Sequence, residues 1–242
     1  MTKPARPKAI LFDLDDTLWP IGPVIVQAEM TLHAWLAQHA PGVAQRFDID
    51  ALRRHRLDLL ARQPQLRLDL GALRRAGLLS AFEQAGEDSA KVEAAMTHFF
   101  AARNAVTPYA DVLPGLLHLK DRMLLGTISN GNADLEAIGL AHHFKVSLAA
   151  GQFGSAKPDA AIFHAACRAL GVAPHEAVYV GDDLLLDVAG AQGAGLRAVW
   201  LRRESACAQT QSDILNLRDI RPDATCATLA EMVEWLDLQA QE

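Results

Sequence analysis

Cysteine is scarce in this chain of 242 residues. Its three cysteines, Cys167, Cys207 and Cys226, lie far apart, and none belongs to a Cys-x-x-Cys pair. An odd, scattered set argues against a disulfide framework and against a thiolate zinc site. The pattern is typical of a reducing compartment, so we expect a cytoplasmic protein.

Long hydrophobic runs are also lacking. No run approaches the roughly 20 apolar residues that a membrane span needs. After the basic segment Met1–Lys8, only four apolar residues precede Asp13, which leaves no room for the apolar core of a secretory signal. We therefore expect no membrane partner.

A basic excess is lacking as well. Lys and Arg number 23 against 29 Asp and Glu, which gives a net charge of −6. Nucleic-acid binding rests on a basic footprint, so we expect no such partner. The cluster Arg53-Arg54-His55-Arg56 is the local exception. It predicts a solvated helix face, with contact to an anionic substrate as the alternative.

Half of the residues are apolar, which is enough for one large domain or for a domain with a smaller insert. An apolar strand at Ala9–Phe12 is followed, from Pro23 to about Asn104, by helical spacing with no convincing strand. From Thr107 onward strands and helices alternate. This order predicts an α/β fold with a parallel sheet covered on both faces and an all-helical insert.

The predicted boundaries follow from this change of period. Residues 1–19 and 107–242 form the core, and residues 20–106 form the helical cap. Residues 204–222 give no clear signal and are interpreted as loop. We expect a monomer or a homodimer.

Polar side chains stand where three predicted strands end. Asp13 and Asp15 follow the first strand, Ser129 and Asn130 the second, and Asp182 the third, with Asp187 one helical turn further on. Taken alone, the first pair is equally well explained as helix caps or turn residues. In parallel sheets, however, ligands bind beyond the carboxyl ends of the strands, so we expect these side chains to converge.

Clustered carboxylates need a cation, because one pair at 4 Å costs roughly 4 kcal/mol at an effective dielectric near 20. Mg²⁺ suits such oxygen ligands and shares a phosphate oxygen. Lys157, in the Lys157-Pro158 pair at a predicted helix start, supplies a fixed positive charge. Such a site predicts phosphoryl transfer to or from a small phosphate ester.

At this point a resemblance is plain. The chain resembles the haloacid dehalogenase superfamily through four motifs in that family's order: Asp13–Leu18, Ser129-Asn130, Lys157-Pro158, and Gly181–Asp183 with Asp187. The resemblance implies a Rossmann-like, doubly wound core with a helical cap inserted after the first strand.

The resemblance also implies roles. Asp13 resembles the nucleophile that forms an aspartyl-phosphate, and Asp15 the general acid and base. Ser129 and the Asn130 amide resemble the groups that hold phosphate oxygens. Lys157 is implied to neutralise both phosphate and nucleophile.

The implied magnesium ligands are Asp13, the backbone carbonyl of Asp15, and Asp182. Thr17 and Asp183 are implied to hold these ligands in position without binding the metal themselves. Asp187 is implied to act through water or to pair with Lys157.

Asp15 separates two reaction classes. Dehalogenases of this superfamily have a non-acidic residue at that position, since a leaving halide needs no proton. The acid here, with Thr17 following it, predicts a phosphatase.

The chain resembles one subfamily in particular, the bacterial phosphatases of FMN and of the phosphorylated riboflavin precursor. The resemblance rests on Asp13–Trp19, Ser129–Asn132 and Val180–Asp183 with Asp187-Val188. Alternatives are a sugar-phosphate or nucleotide phosphatase, a phosphomutase, or a non-catalytic binding module on the same fold.

Trp19 and Arg103 flank the predicted hinges between core and cap. Packing at the hinge is the simple interpretation of Trp19, with contact to a flat substrate ring as the alternative. Arg103 is a further candidate for a substrate contact.

Overall fold

A computed structural model describes residues 7–203 and 219–241. Its sheet has six parallel strands in the order β3-β2-β1-β4-β5-β6. Their bounds are β1 Ala9–Phe12, β2 Leu124–Ser129, β3 Val146–Ala149, β4 Ala177–Gly181, β5 Arg197–Leu201 and β6 Ala224–Cys226. The α/β fold with a parallel sheet, predicted from the sequence, is confirmed.

The central strands are apolar because both of their faces are covered. Every residue of β1 and of β4 is buried. Side chains from these strands pack against helix 160–170 in one core that includes Leu11, Phe163 and Tyr179.

The helices fill the stretches between the strands. The first five are α1 Ile21–His39, α2 Pro41–Arg46, α3 Ile49–Arg62, α4 Leu70–Ala85 and α5 Val92–Arg103. The others in the described residues are α6 Val112–Leu119, α7 Leu135–Ile138, α8 Ala150–Phe153, α9 Ala160–Leu170, α10 Gly190–Gly193 and α11 Leu229–Gln241. Short 3₁₀ turns lie at Pro64–Leu68, Ser89–Lys91, Ala141–His143 and Pro174–Glu176.

The helix expected after β4 opens differently from its prediction, as the π-helical turn Leu184–Ala189. The amide of Val188 donates to the carbonyl of Asp183 at 3.2 Å, a bond that spans five residues. Turns of this kind are rare and occur mostly at functional sites. Here the wider turn carries Asp187.

The chain divides into two compact units. One comprises the described parts of Met1–Pro20, Thr107–Gly131 and Gly139–Glu242, and the other comprises Ile21–Val106 with Asn132–Ile138. The alternating sequence pattern predicts that residues 132–138 belong to the core. In the structure they group with the helical unit. Two hydrogen bonds join them to it: Arg103 Nε donates to Asn132 Oδ1 at 3.1 Å, and Asn104 Oδ1 accepts the Asp134 amide at 3.1 Å.

The helical unit has its own apolar core, centred on α1, α4 and α5. Beside it lies the carboxylate of Glu29, which is buried. Arg53 and Arg56 each donate to Glu29 at 2.5 Å, and Arg74 donates at 3.3 Å. The predicted solvated face therefore holds for Arg54, which is exposed, but not for Arg53 and Arg56, whose guanidinium groups pair with this carboxylate.

Cys167 and Cys226 are free and buried, as expected for core thiols. Cys207 and most of the loop predicted at 204–222 lie outside the described residues. Among the described helices, none combines the length and the apolar character that a membrane span requires.

Candidate active site

The site lies at the carboxyl ends of three adjacent strands, β2, β1 and β4. The chain leaves β1 toward β2 and β3 and later returns on the other side of β1 to form β4. Strand order therefore reverses between β1 and β4, and a crevice forms at such a switch point. Asp13 directly follows β1, its amide donating to the Val180 carbonyl at 2.9 Å.

A pocket of about 180 Å³ occupies this crevice. Such a volume suits a phosphoryl group rather than a whole drug-sized ligand, since small-molecule pockets run from about 300 Å³ upward. Its lining brings together residues from all four sequence motifs: Asp13, Asp15, Ser129, Asn130, Gly131, Lys157, Asp182, Asp183, Leu186 and Asp187.

Lys157 is the centre of the pocket's hydrogen bonds. Its side chain is buried, and Nζ donates to Asp13 Oδ1, to Asp187 Oδ1 at 2.6 Å and to the Tyr179 hydroxyl at 3.0 Å. The ammonium therefore lies between two carboxylates and one neutral acceptor.

Thr17 joins two of the acids. Its buried hydroxyl donates to Asp182 Oδ1 at 2.8 Å and lies 3.5 Å from Asp13 Oδ2. The backbone of Asp182 is held separately, because the indole nitrogen of Trp200 donates to its carbonyl at 2.8 Å. The carboxylate of Asp182 thus has a fixed position relative to that of Asp13.

Asp15 is held by Trp19. The indole nitrogen of Trp19 donates to Asp15 Oδ1 at 2.8 Å, and the Trp19 side chain is fully buried. Between them Asp16 has a φ of 61°, a left-handed conformation that Asp tolerates better than most residues. This tight loop turns the Asp15 carboxylate into the pocket, and it gives Trp19 the role of holding an acid. Contact between Trp19 and a substrate stays a prediction.

The loop after β4 supplies a cap and an acceptor. Asp183 Oδ1 accepts the amides of Leu185 at 2.7 Å and Leu186 at 2.8 Å, so its side chain starts the π-helical turn. Asp187 Oδ2 accepts the Asp183 amide at 3.0 Å while Oδ1 accepts from Lys157. A Cβ at Gly181 would lie 2.3 Å from Asp187 Oδ2, so a glycine is needed there.

Ser129 and Asn130 organise the end of β2. Ser129 Oγ accepts the Gly131 amide at 2.9 Å. The Asn130 side chain clamps the backbone of Lys157, accepting its amide at 2.9 Å and donating to its carbonyl at 3.0 Å. The Asn130 side chain therefore positions Lys157.

Burial and, after it, repulsion between the acids shift the pKa values in the pocket. Burial raises the pKa of Asp182 to about 7, with repulsion from Asp187 adding to it and the Thr17 hydrogen bond opposing it. Burial also raises the pKa of Asp13 well above its usual 3.8, and the attraction of Lys157 does not cancel that effect. Burial lowers the pKa of Lys157, but Asp13 and Asp187 outweigh it and the net pKa is raised.

A divalent cation fits this donor set. Carboxylate oxygens of Asp13, Asp182 and Asp187 lie within 4.8 Å of one another. Burial raises the pKa values of Asp13 and Asp182, so that ionising these carboxyl groups becomes more favourable when a further positive charge lies beside them. Both oxygens of Asp187 accept close hydrogen bonds, at 2.6 and 3.0 Å, whereas Asp13 Oδ2 makes only a long contact of 3.5 Å with Thr17, so Asp13 and Asp182 are better suited as direct ligands. The Asp15 carboxylate lies outside this group of three, and ligation through its carbonyl stays a prediction.

Sequence reasoning missed two contributors, Tyr179 and Trp200. Both lie within strands and read there as core aromatics. Their polar atoms point to Lys157 and to the Asp182 carbonyl. No motif spacing marks such residues, and only their position beside the strand ends could have identified them.

Arg103 lies in the helical unit. Its side chain is buried, and Nε donates to Asn132. The structure thus gives it a role within that unit, while the substrate contact expected from the sequence stays a prediction.

The model of the haloacid dehalogenase-like hydrolase family matches residues 7–195. The chain belongs to this family. It is therefore an enzyme of the hydrolase class, and the matched residues include every element from β1 to α10.

Relatives of similar length are phosphatases. A 5-amino-6-(5-phospho-D-ribitylamino)uracil phosphatase of Escherichia coli is 33% identical over 204 residues, covering 83% of this chain and 85% of that protein. A glyceraldehyde 3-phosphate phosphatase of Methanopyrus kandleri is 34% identical over 207 residues, covering 81% and 84%.

Solved structures of this family share the fold. A 2-haloacid dehalogenase from Pseudomonas syringae pv. Tomato superposes with a TM-score of 0.86 at 37% identity, over 96% of this chain and 99% of that one. A phosphatase from Thermococcus onnurineus gives a TM-score of 0.66 at 26% identity, over 95% and 97%.

Proposed function

We propose that this hydrolase is a Mg²⁺-dependent phosphatase that cleaves a small-molecule phosphomonoester through an aspartyl-phosphate. The observation that carries the proposal is the pair Asp13 and Asp15 in one pocket with Lys157 and Asp182. One acid can attack phosphorus while the other handles the proton that an alkoxide leaving group requires.

In the first half-reaction, a carboxylate oxygen of Asp13 attacks phosphorus and the bond between phosphorus and the ester oxygen breaks. Asp15 donates its proton to the departing oxygen, so the product leaves as a neutral alcohol. In the second half-reaction, Asp15 takes a proton from water. That water attacks the aspartyl-phosphate, phosphate leaves and Asp13 is regenerated.

The remaining residues hold the phosphoryl group. The Ser129 hydroxyl and the Asn130 amide supply hydrogen bonds to its oxygens. The Lys157 ammonium neutralises negative charge on these phosphoryl oxygens and on Asp13. It does so while the attacking and leaving oxygens lie in line with phosphorus. The Thr17 hydroxyl holds the carboxylate of Asp182 close to that of Asp13.

Asp13, Asp182 and the Asp15 carbonyl are the proposed ligands of Mg²⁺. When bound, the ion neutralises phosphate charge and lets the attacking carboxylate approach. The raised pKa values of Asp13 and Asp182 support this demand for a cation.

For the substrate we propose FMN or 5-amino-6-(5-phosphoribitylamino)uracil. The similarity to the Escherichia coli phosphatase over most of both chains supports this choice. The similarity to an archaeal glyceraldehyde 3-phosphate phosphatase supports the alternative of a sugar phosphate.

Dehalogenation is the second candidate, because a 2-haloacid dehalogenase superposes well on this chain. Asp15 argues against it, since a departing halide takes no proton. The acid is also held in place by Trp19, which an idle side chain would not need.

The deciding experiment measures phosphate release from p-nitrophenyl phosphate with Mg²⁺ and after EDTA treatment, with chloride release from 2-chloropropionate in parallel. We expect phosphate release that EDTA abolishes and Mg²⁺ restores, and no chloride. Chloride release alone would establish the dehalogenase. Silence in both assays, with folded protein, would favour a binding module.

A panel then ranks the substrates by kcat/KM. It contains FMN, the riboflavin precursor phosphate, glyceraldehyde 3-phosphate and nucleoside monophosphates. A preference for the first two by tenfold or more supports the proposed substrate class. An equal or greater value for glyceraldehyde 3-phosphate contradicts it.

A further inference from the structure

Lys157 has three N–H bonds, and three partners surround it. Two are the carboxylates of Asp13 and Asp187, and the third is the hydroxyl of Tyr179 at 3.0 Å. The two carboxylates carry the negative charge that Lys157 neutralises. The hydroxyl is the one neutral partner, and none of the four sequence motifs contains it.

Tyr179 has a polar contact at its hydroxyl and an apolar contact at its ring. Its hydroxyl donates to the carbonyl of Ile128 at 3.0 Å, so its lone pairs are turned toward Lys157 Nζ. Its ring packs edge-on against Phe163 with the centroids 5.0 Å apart. The side chain has no exposed surface.

The hydrogen bonds of the Tyr179 hydroxyl connect three segments of the chain that contribute to the pocket. Ile128 precedes Ser129 at the end of β2, Tyr179 lies in β4, and Lys157 comes from the loop before α9. Burial, with repulsion from Asp187 and Asp13, raises the pKa of Tyr179, so the phenol stays neutral and adds no charge beside Lys157.

We propose that Tyr179 is a positioning residue for catalysis, whose hydroxyl sets where the Lys157 ammonium meets Asp13 and the transferring phosphoryl group. The proposal rests on the proposed phosphatase activity. Tyr179 acts through Lys157 and does not contact the substrate.

Tyr179→Phe tests this directly, because it removes the hydroxyl and keeps the ring against Phe163. Charge neutralisation by Lys157 matters most in the transition state, so we expect kcat to fall about tenfold while KM changes less than twofold. Tyr179→Leu also lacks the hydroxyl. It is measured in parallel, so that the test does not depend on one variant folding.

Phe163→Leu is the matched control. It disturbs the same core contact and leaves Lys157 with all three partners. We expect this control to lower the melting temperature at least as much as Tyr179→Phe while keeping kcat within twofold of wild type.

Two results would overturn the inference. One is a folded Tyr179→Phe with wild-type kcat, and the other is an equal loss of kcat in Phe163→Leu. Either leaves the proposed function intact, because the wild-type chain would still release phosphate. A wild-type chain inactive toward every phosphate ester would instead contradict the proposed function itself.

Discussion

At the scale of single residues, the pair of Asp13 and Lys157 connects the first strand to a loop 144 residues further along the chain. We predict that Asp13→Asn abolishes turnover of p-nitrophenyl phosphate, because the amide is too weak a nucleophile to form the acyl phosphate. Circular dichroism of the variant should match wild type. A substantial residual rate in freshly purified protein would exclude Asp13 as the nucleophile.

Asp15 gives a second prediction, which depends on the leaving group. Asp15→Asn should slow formation of the aspartyl-phosphate from an alkyl phosphate far more than from p-nitrophenyl phosphate, since nitrophenolate departs without a proton. Single-turnover measurement of alcohol or nitrophenol release isolates this step. Equal losses for both esters would remove Asp15 from the role of general acid.

Asp182 predicts how stability depends on pH. Its folded pKa of about 7 lies above the ordinary 3.8, so the folded state binds a proton that the unfolded state has released. In metal-free protein, stability should therefore fall as pH rises from about 4 through 7, by an upper bound of roughly 4 kcal/mol.

Thermal melts in EDTA from pH 4.5 to 8 measure this trend. The melting temperature should fall with pH less steeply in Asp182→Asn than in wild type, and added Mg²⁺ should raise it more at pH 8 than at pH 5. A metal-free slope that is identical in the variant would contradict the assignment to Asp182.

At the scale of elements, the junction of β4 with the π-helical turn depends on the missing side chain of Gly181. We predict that Gly181→Ala displaces Asp187 from Lys157, lowers kcat at least tenfold and costs about 1–3 kcal/mol of stability, as overpacking does. Kinetics and urea unfolding measure both effects.

Gly193→Ala is the control for that substitution. A Cβ there meets nothing within 4 Å, and the residue lies in a helix with no left-handed strain. It should leave activity unchanged and stability equal or slightly higher. If both alanine variants behave alike, the close approach of Gly181 to Asp187 has no consequence.

The strands beside the site could be predicted from the sequence, because each is an apolar run that ends directly before polar residues. The Asp13, Ser129 and Asp182 side chains were found because an apolar strand stops just before each. The π-helical turn was not predictable, since Leu184–Ala189 also fits an α-helical pattern. Tyr179 was missed because a tyrosine inside an apolar strand is normally interpreted as a core residue. The sequence does not show what its hydroxyl contacts.

At the scale of the whole molecule, the helical unit has a buried cluster of charged side chains that is separate from the pocket acids. The helical unit surrounds one carboxylate, Glu29, with three guanidinium groups. Burial raises the pKa of Glu29, but Arg56 and Arg74 outweigh it and the net pKa is lowered. Ionised Glu29 therefore contributes to the stability of the fold at pH values above its ordinary pKa of 4.5. This stability is lost as the pH falls through the lower pKa that Glu29 has in the folded state.

Glu29→Gln should therefore cost roughly 2–4 kcal/mol, because it leaves buried arginines without their counter-charge, while the partial exposure of Arg53 limits the loss. The control is Glu93→Gln, whose ion pair with Arg75 is exposed and should contribute at most about 0.5 kcal/mol. Urea unfolding near neutral pH compares them, and equal costs would contradict the importance of burial.

The pairing of Arg53 and Arg56 with Glu29 could not be predicted, because these residues come from different helices and their spacing fits a solvated face equally well. The same limit applies to Asn132–Ile138, which the alternating pattern assigns to the core. Arg103 and Asn104 hold this stretch by contacts that no local signal encodes.

In the part of the chain that the structure describes, the residues that line the pocket lie within 13–15 and 129–187. Replacing residues 21–106 by the corresponding segment of a relative should therefore leave the residues that line the pocket unchanged. A recombinant enzyme of this kind must keep Arg103 and Asn104, since these two side chains tether the stretch that begins just after Gly131.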